Sequence, residues 1–308
     1  MGISALAQDK ASDPGEASDQ KVPSIFISAS KRQSRVQDMP LQTSIIAQED
    51  IQASPAKSLD QLLKNVLGLN FTAVPSTQSD PTGQSTKMRG LGNAKVLVLL
   101  DGIPVMDPFY LTTQWFKIPL SNIDRVEVIR GGNSSLWGNM AVAGVINVVT
   151  KRAKDESAEL ELSWGSRGSS EVALSKNLRA SETWGFNFSV QELNAKGYVM
   201  TPGDQIWRYP QKNTIDAKDS NLQFTSFFSP SADLKAYLRL GAHIQDQSIS
   251  YNFGQNIQKS PDLSFNVLQN LDSNHTLSTH FWHQSVDFTK YNGASCYWQS
   301  SARDRKSV

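Results

Sequence analysis

The sequence is almost devoid of cysteine and carries almost no net charge. Cys296 is the only cysteine among 308 residues, which excludes an internal disulfide framework and a zinc site built from several thiolates. The 30 basic and 29 acidic side chains leave a formal net charge of +1. This balance gives no electrostatic indication of a nucleic-acid partner.

Long apolar runs, metal-ligand clusters and familiar catalytic motifs are also missing. The longest apolar run near the middle is Val96–Leu100, whereas a membrane-spanning helix needs about 20 residues. His280 and His283 are three positions apart, so a strand would place them on opposite faces, with no third ligand nearby. Neither GxSxG nor HExxH occurs. We therefore predict no metal site, no cofactor and no enzymatic activity.

The segment Ile123–Lys151 carries the strongest local pattern, IDRVEVIRGGNSSLWGNMAVAGVINVVTK. Val126–Arg130 and Val145–Val149 have the length and composition of strands, and Ser134–Trp137 has room for one helical turn. The glycines of Gly131–Gly138 match neither G-x-G-x-x-G nor the P-loop spacing. The pattern predicts a strand, a structural glycine turn and a second strand, rather than a phosphate site.

Residues Met39–Val105 have the pattern of a small α/β domain. Ser58-Leu59-Asp60-Gln61 resembles a capping box, in which Ser58 bonds the Gln61 amide and Gln61 reaches back. An apolar helical stripe follows and stops at Gly68, and Asp101-Gly102 is a hairpin turn signal. The predicted stripe is Leu59, Leu62, Leu63, Val66 and Leu67, and the predicted strands are Thr43–Ala47, Leu69–Val74, Lys95–Leu100 and Ile103–Val105.

The second half of the chain alternates apolar and polar residues with a period of two. In Glu182–Gln191 the aromatic and aliphatic side chains share one face, and Leu234–Ile244 repeats the pattern. Such alternation is typical of a transmembrane β-barrel, and equally of a soluble β-sandwich with one wet face. Weaker repeats lie at Ala158–Trp164, Val172–Leu178, Leu222–Phe228, Leu263–Leu268 and His275–Phe288. We predict roughly seven or eight antiparallel strands after Arg152.

Two short features precede the first domain. Ser4-Ala5-Leu6-Ala7-Gln8 resembles the cleavage region of a secretory signal without its basic and apolar parts, which favours a start codon placed too far downstream over chance. Ile25-Phe26-Ile27-Ser28 is an isolated apolar segment in polar sequence. Its composition suits either a strand that a partner pairs with or the edge strand of the following domain.

Four motifs occur in the order found in TonB-dependent outer-membrane receptors. Ser58–Asn70 resembles the family's helix followed by glycine and an apolar residue, Met88–Gly90 its R-G, Val96–Pro104 its V-L-x-D-G-x-P, and Ile123–Lys151 the end of its plug domain. The resemblance implies an α+β plug domain followed by antiparallel strands of an incomplete transmembrane β-barrel, which is 22-stranded in the family. It also implies the Gram-negative cell outer membrane and energy-coupled uptake of a scarce, bulky ligand.

The resemblance also implies ligands and partners. The expected ligand is a metal chelate or a vitamin, and a ferric siderophore is expected first. Cobalamin, haem or a sugar are the alternatives. TonB, energised by ExbB and ExbD, outer-membrane lipid and the barrel-assembly machinery are the expected partners. The predicted boundaries are 1–21 for a residual signal or flexible N-terminus, 22–30 for a TonB box, 31–152 for the plug, 153–294 for the partial barrel and 295–308 for an aberrant tail.

The predicted strands are too few for the family's barrel. We therefore expect the chain to be the N-terminal part of a longer receptor, cut off by a frameshift, a premature stop or an incomplete gene. The alternative is a truncated product that folds its plug alone and acts as a soluble periplasmic binding or interaction module.

Site residues follow from the same resemblance. Charges that pair with the barrel wall are expected at the plug strand and its R-G motif, although solvated strand-end charges are the alternative. Apical loops at Pro75–Ser85 and Met106–Trp115 are expected to meet the ligand, unless their aromatic residues only pack the loops. The predicted TonB-binding residues are Ile25, Phe26, Ile27 and Ser28; the predicted wall anchors are Arg89, Arg125, Glu127 and Arg130; the predicted ligand-binding residues are Gln78, Asp80, Gln84, Asp107, Phe109, Tyr110 and Trp115.

Overall fold

The computed structural model describes residues 26–27, 34–35, 42–71, 84, 86–92, 95–107, 110–132, 134–152, 156–197, 214–248, 255–272 and 275–291. The first strands are β1 (Phe26–Ile27), β2 (Ser34–Arg35), β3 (Gln42–Ile46), β4 (Leu69–Phe71), β5 (Thr86–Met88), β6 (Val96–Leu100), β7 (Ile103–Pro104), β8 (Ile123–Arg130) and β9 (Gly144–Thr150). The later strands are β10 (Ser157–Trp164), β11 (Ser170–Arg179), β12 (Trp184–Ala195), β13 (Ala217–Phe228), β14 (Leu234–Ser248), β15 (Gln255–Asn270), β16 (Thr276–Gln284) and β17 (Asp287–Tyr291). The α-helices are α1 (Gln48–Ala53), α2 (Leu59–Leu63) and α3 (Ser134–Trp137). Within these ranges no helix is long and apolar enough to span a membrane.

The described part of residues 42–152, hereafter the inner domain, is built on a five-stranded sheet of order β3-β8-β9-β6-β7. Strand β9 pairs antiparallel with β8 and parallel with β6, and every residue of β6 and β9 is buried. Gly144 begins β9 where a Cβ atom would lie 2.3 Å from Sδ of Met88 and 2.4 Å from the carbonyl oxygen of Ile129. The predicted strand, helical turn and strand are confirmed as β8, α3 and β9.

Helix α2 differs from its prediction at both ends. Ser58 makes no capping bond to Gln61, and its hydroxyl instead donates to Oδ1 of Asp60. The helix ends before it reaches Leu67, because the chain turns at Gly68 (φ +84) to enter β4. Leu67 is therefore 83% exposed rather than part of the apolar stripe. The predicted capping box and the last stripe position are wrong.

Strands β10–β17 form an eight-stranded antiparallel sheet, hereafter the wall. The strands follow one another in chain order, and β16 and β17 lie in line along β15. The interruption between them lies opposite Pro261, whose carbonyl accepts from the amide of Ser285 but which has no N–H to donate. The eight antiparallel strands among the described residues after Arg152 agree with the predicted seven or eight.

The two faces of the wall differ in chemistry, as the alternation predicts. Along β12, Trp184 and Phe188 are exposed, whereas Asn187, Ser189 and Gln191 are at least 95% buried. The polar face lies against the inner domain, and its contacts are given below. The sheet thus presents polar groups to the inner domain and apolar groups outward.

Candidate functional site: the interface between the inner domain and the wall

Backbone groups of the inner domain are bound by wall amides at the turn Trp115–Lys117. The carbonyl oxygen of Lys117 accepts from Nδ2 of Asn221 at 2.9 Å and from Nε2 of Gln223 at 2.7 Å. Gln223 also accepts from Nδ2 of Asn122 at 3.3 Å. Residues two positions apart on a strand lie on the same face, so β13 presents both amides to the same carbonyl.

Two buried cations and two partly buried carboxylates meet at the same interface. Nζ of Lys117 lies 3.0 Å from Oδ1 of Asp262, whose Oδ2 lies 3.6 Å from Nε of Arg239. Nη1 of Arg239 lies 3.8 Å from Oδ2 of Asp101. Burial lowers the pKa of Lys117, and the carboxylate of Asp262 offsets part of that effect. Cations this deeply buried persist only when they are paired. Asp262 of the wall pairs with Lys117 of the inner domain, and Asp101 of the inner domain pairs with Arg239 of the wall.

The hairpin turn at Asp101 contributes to this interface in two ways. Asp101 and Gly102 have φ values of +52 and +80, which confirms the turn expected between β6 and β7. The carboxylate of Asp101 accepts from the amide of Thr150 at 2.9 Å and from its hydroxyl at 2.8 Å. The Asp101 carbonyl accepts from the hydroxyl of Tyr237 in the wall at 3.1 Å. The turn is thus held in place by β9 and bonded to β14.

A second group of ion pairs joins the inner domain to the first wall strand. Lys57 lies 2.7 Å from Glu161, and Lys151 lies 2.6 Å from Glu159. The side chains of Lys57 and Glu161 are about half exposed, and their hydrogen bond raises the pKa of Lys57. Exposed pairs contribute only about 0 to 1 kcal/mol and are screened by salt. The buried charges are therefore the stronger attachment.

Two of the predicted wall anchors form ion pairs inside the inner domain. Arg125 lies 2.9 Å from Asp124 and 2.9 Å from Glu127. Glu127 is fully buried and accepts from Nδ2 of Asn147 at 3.0 Å. These contacts link β8 to β9.

The other two predicted anchors, Arg130 and Arg89, lie outside this group of ion pairs. Nη2 of Arg130 donates to the hydroxyl of Ser44 on β3. Arg89 is exposed, with a φ of +52. A wall-anchoring role for the four predicted residues stays a prediction.

The predicted ligand-binding residues are divided between the surface and the interior. Gln84 is buried and pairs through its backbone with Thr113. Asp107 is also buried, and its carboxylate accepts from the amide of Tyr110 at 2.6 Å. Tyr110 is 47% exposed. Of these three predicted residues, Tyr110 is the one that reaches the surface.

Trp115 packs its loop, which is the alternative left open for the aromatic residues of the apical loops. Its side chain is fully buried and packs edge-on against Phe71, with ring centroids 5.6 Å apart. Gln78, Asp80 and Phe109 lie outside the described residues. The ring of Trp115 fills the core beneath the loop, and a ligand-binding role for Trp115 stays a prediction.

The predicted TonB-binding segment is described in part. Phe26 and Ile27 form β1, which pairs antiparallel with β2. Ile25 and Ser28 lie outside the described residues.

Sequence reasoning did not identify Lys117, Asn122 or Asp262 as interface residues. The alternation of β14 placed Arg239 on the polar face, but it carried no information on which inner-domain group that face meets. Strand register and the path of the turns between β7 and β8 decide these contacts, and neither follows from periodicity.

Comparison with known proteins gives a consistent result. Residues 35–145 match the model of the TonB-dependent Receptor Plug Domain. The vitamin B12 transporter BtuB of Vibrio cholerae serotype O1 is 27% identical over 247 residues, which is 79% of this chain and 39% of the relative. The ferric enterobactin receptor of Pseudomonas aeruginosa is 32% identical over 125 residues, covering 37% of this chain and 17% of the receptor. The chain thus spans about two fifths of the length of the first of these relatives.

A solved structure shares the fold of both parts. The ferric-catecholate import receptor Fiu from K12 E. coli superposes with a TM-score of 0.67 at 18% identity, over 89% of this chain and 42% of that receptor. The inner domain and the wall therefore have the arrangement of a plug and part of a receptor barrel.

Proposed function

Because residues 35–145 match the TonB-dependent Receptor Plug Domain, we propose that the complete protein is an outer-membrane receptor for energy-coupled uptake of a bulky ligand. The inner domain is the plug in this proposal, within the predicted boundaries 31–152. The observation that carries it is the packing of the plug on the polar face of an antiparallel sheet whose opposite face is apolar.

The outward face of the wall supports contact with lipid. Six large apolar side chains on three neighbouring strands are 37–46% exposed, and a water-facing surface rarely sustains such exposure over many strands. They are Trp184, Phe188, Val190, Leu222, Leu240 and Ile244.

We propose a ferric siderophore as the ligand. The ferric enterobactin receptor among the relatives and the fold shared with a ferric-catecholate receptor support it. Cobalamin is the second candidate, because the relative matched over 79% of this chain is named a vitamin B12 transporter. Tyr110, which is exposed, is the described residue we assign to first contact, together with the predicted Gln78, Asp80 and Phe109.

We propose TonB, driven by ExbB and ExbD, as the partner that displaces the plug. The segment Ile25–Ser28 is the proposed attachment strand, since strand addition draws its affinity from main-chain hydrogen bonds and needs only a β-prone composition. Insertion of the wall requires the barrel-assembly machinery. No step of this function needs catalysis by the chain.

Growth and fractionation test the proposal. A strain that lacks the gene should lose growth when one ferric siderophore is the sole iron source, or when cobalamin is the sole source of vitamin B12. A plasmid that carries the gene should restore growth. The protein should fractionate with the outer membrane and show heat-modifiable mobility in gel electrophoresis. Undiminished growth on every tested chelate, together with a purely soluble periplasmic protein, would contradict a transport role and favour a soluble binding module.

A further inference from the structure

The carboxylate of Asp262 lies directly over Gly241 on the polar face of the wall. The two residues are register partners on β15 and β14. A Cβ atom at position 241 would stand 2.4 Å from Oδ1 and 2.8 Å from Cγ of Asp262. These distances are below van der Waals contact, so only glycine leaves room for the carboxylate to lie across β14.

In this position one carboxylate pairs with two cations. Oδ1 of Asp262 lies 3.0 Å from Nζ of Lys117 in the plug, and Oδ2 lies 3.6 Å from Nε of Arg239 in the wall. The side chains of Lys117 and Arg239 are only 5% and 3% exposed. Neither Nε nor Nη1 of Arg239 has a hydrogen-bond partner in the described structure. The guanidinium is therefore stabilised by the charges of Asp262 and Asp101 rather than by a complete set of hydrogen bonds.

The four charges therefore differ in how many partners lose their pairing when one of them is removed. Loss of Lys117 leaves Arg239 between two carboxylates, which remain paired with it. Loss of the Asp262 charge instead leaves Lys117 unpaired and Arg239 with only the more distant Asp101. An uncompensated buried cation is far more costly than the removal of a whole pair.

We propose that Asp262 is the positioning residue that fixes the plug to the wall, and that Gly241 is required for it to do so. The proposal rests on the proposed function in one respect, because a plug that is displaced by TonB must break this attachment on every transport cycle. The exposed pair of Lys57 and Glu161 holds the plug only weakly beside it.

Hydrogen exchange of the full chain in detergent micelles, read by mass spectrometry, tests the attachment. The reporter is residues 115–122, where amide groups donate to nearby carbonyls at the interface turn. Asp262→Asn and Gly241→Ala should each accelerate exchange there at least about tenfold. Gly92→Ala, where an added Cβ meets nothing within 4 Å, and Asp287→Asn, which removes an exposed wall carboxylate, should leave the rate unchanged.

A double substitution separates the charge argument from a merely structural role. In the Asp262→Asn background, Lys117→Met removes the stranded cation, so exchange of residues 115–122 should return toward the wild-type rate. Amides of β12 serve as the check that the wall remains folded. Additive acceleration in the double variant, or wild-type exchange in both single variants, would overturn the proposal. Exchange is measured without ligand or TonB, so this outcome is independent of whether the uptake assay succeeds.

Discussion

Asn147 donates a hydrogen bond from Nδ2 to Oε2 of Glu127 over 3.0 Å, between paired positions of β9 and β8. Both side chains are fully buried. Oδ1 of Asn147 accepts from the amide of Gly102 at 3.1 Å. One side chain therefore connects the central strands of the plug sheet to the turn that reaches the wall.

Replacing this amide should destabilise the plug. Asn147→Leu leaves Glu127 with one donor fewer and the Gly102 amide without its acceptor, which should lower the free energy of unfolding by about 1–3 kcal/mol. Native-state hydrogen exchange of β9 amides measures the change. Asn139→Leu, at an exposed position, is the control and should stay within about 0.5 kcal/mol of wild type. An equal response of the two variants would contradict the assigned role.

The close approach at Gly144 should tolerate no side chain. Gly144→Ala places a Cβ atom 2.4 Å from the carbonyl oxygen of Ile129, a backbone atom that cannot move without distorting β8. We expect a loss of about 1–3 kcal/mol in the same exchange experiment. At Gly132 the nearest atom to an added Cβ is 3.8 Å away, so Gly132→Ala should be far milder. A milder effect at Gly144 than at Gly132 would show that the strands separate more easily than the geometry indicates.

Lys117 and Lys57 should give stability dependences on pH of opposite sign. Burial lowers the pKa of Lys117 below 10.5, so between its folded value and 10.5 the unfolded chain binds more protons and stability rises with pH. The hydrogen bond to Glu161 raises the pKa of Lys57, so its contribution is present below 10.5 and is lost as pH rises through the folded value. Urea titrations of wild type, Lys117→Met and Lys57→Met at alkaline pH give each contribution by difference. The Lys57 effect should be small, because the pair is exposed. Slopes of the same sign would contradict these environments.

The outward face of the wall should reject charge. Leu240 is 46% exposed in the interior of β14, and Leu240→Arg should cost about 2–4 kcal/mol if the position lies near the bilayer midplane. Refolding yield into lipid vesicles and heat-modifiable mobility measure the loss, with Leu240→Met as the apolar control. Equal insertion of both variants would indicate that this face does not meet lipid.

Most of the strands were predictable because periodicity is a local property. The alternation in Glu182–Gln191 separates the apolar face of β12 from its polar face, and Asp101-Gly102 indicates a turn whose two positive φ angles few residue pairs accept. Helix α2 was less predictable: the contact between Ser58 and Asp60 competes with capping, and only the packed domain shows where the helix stops. The sequence left two positions open for Trp115, because an aromatic residue in a loop has the same sequence signature whether it faces a ligand or the core.

By itself, the sequence determined the α+β plug, the alternating strands of the wall and the resemblance to TonB-dependent receptors. These follow from residue types at short, fixed spacings. The tertiary structure alone decided that the buried attachment runs through Lys117, Asp262, Arg239 and Asp101, and that Gly241 makes room for it. Those residues lie far apart in the chain, and buried charges can be matched only when strand register and turn geometry bring opposite signs within a few ångströms.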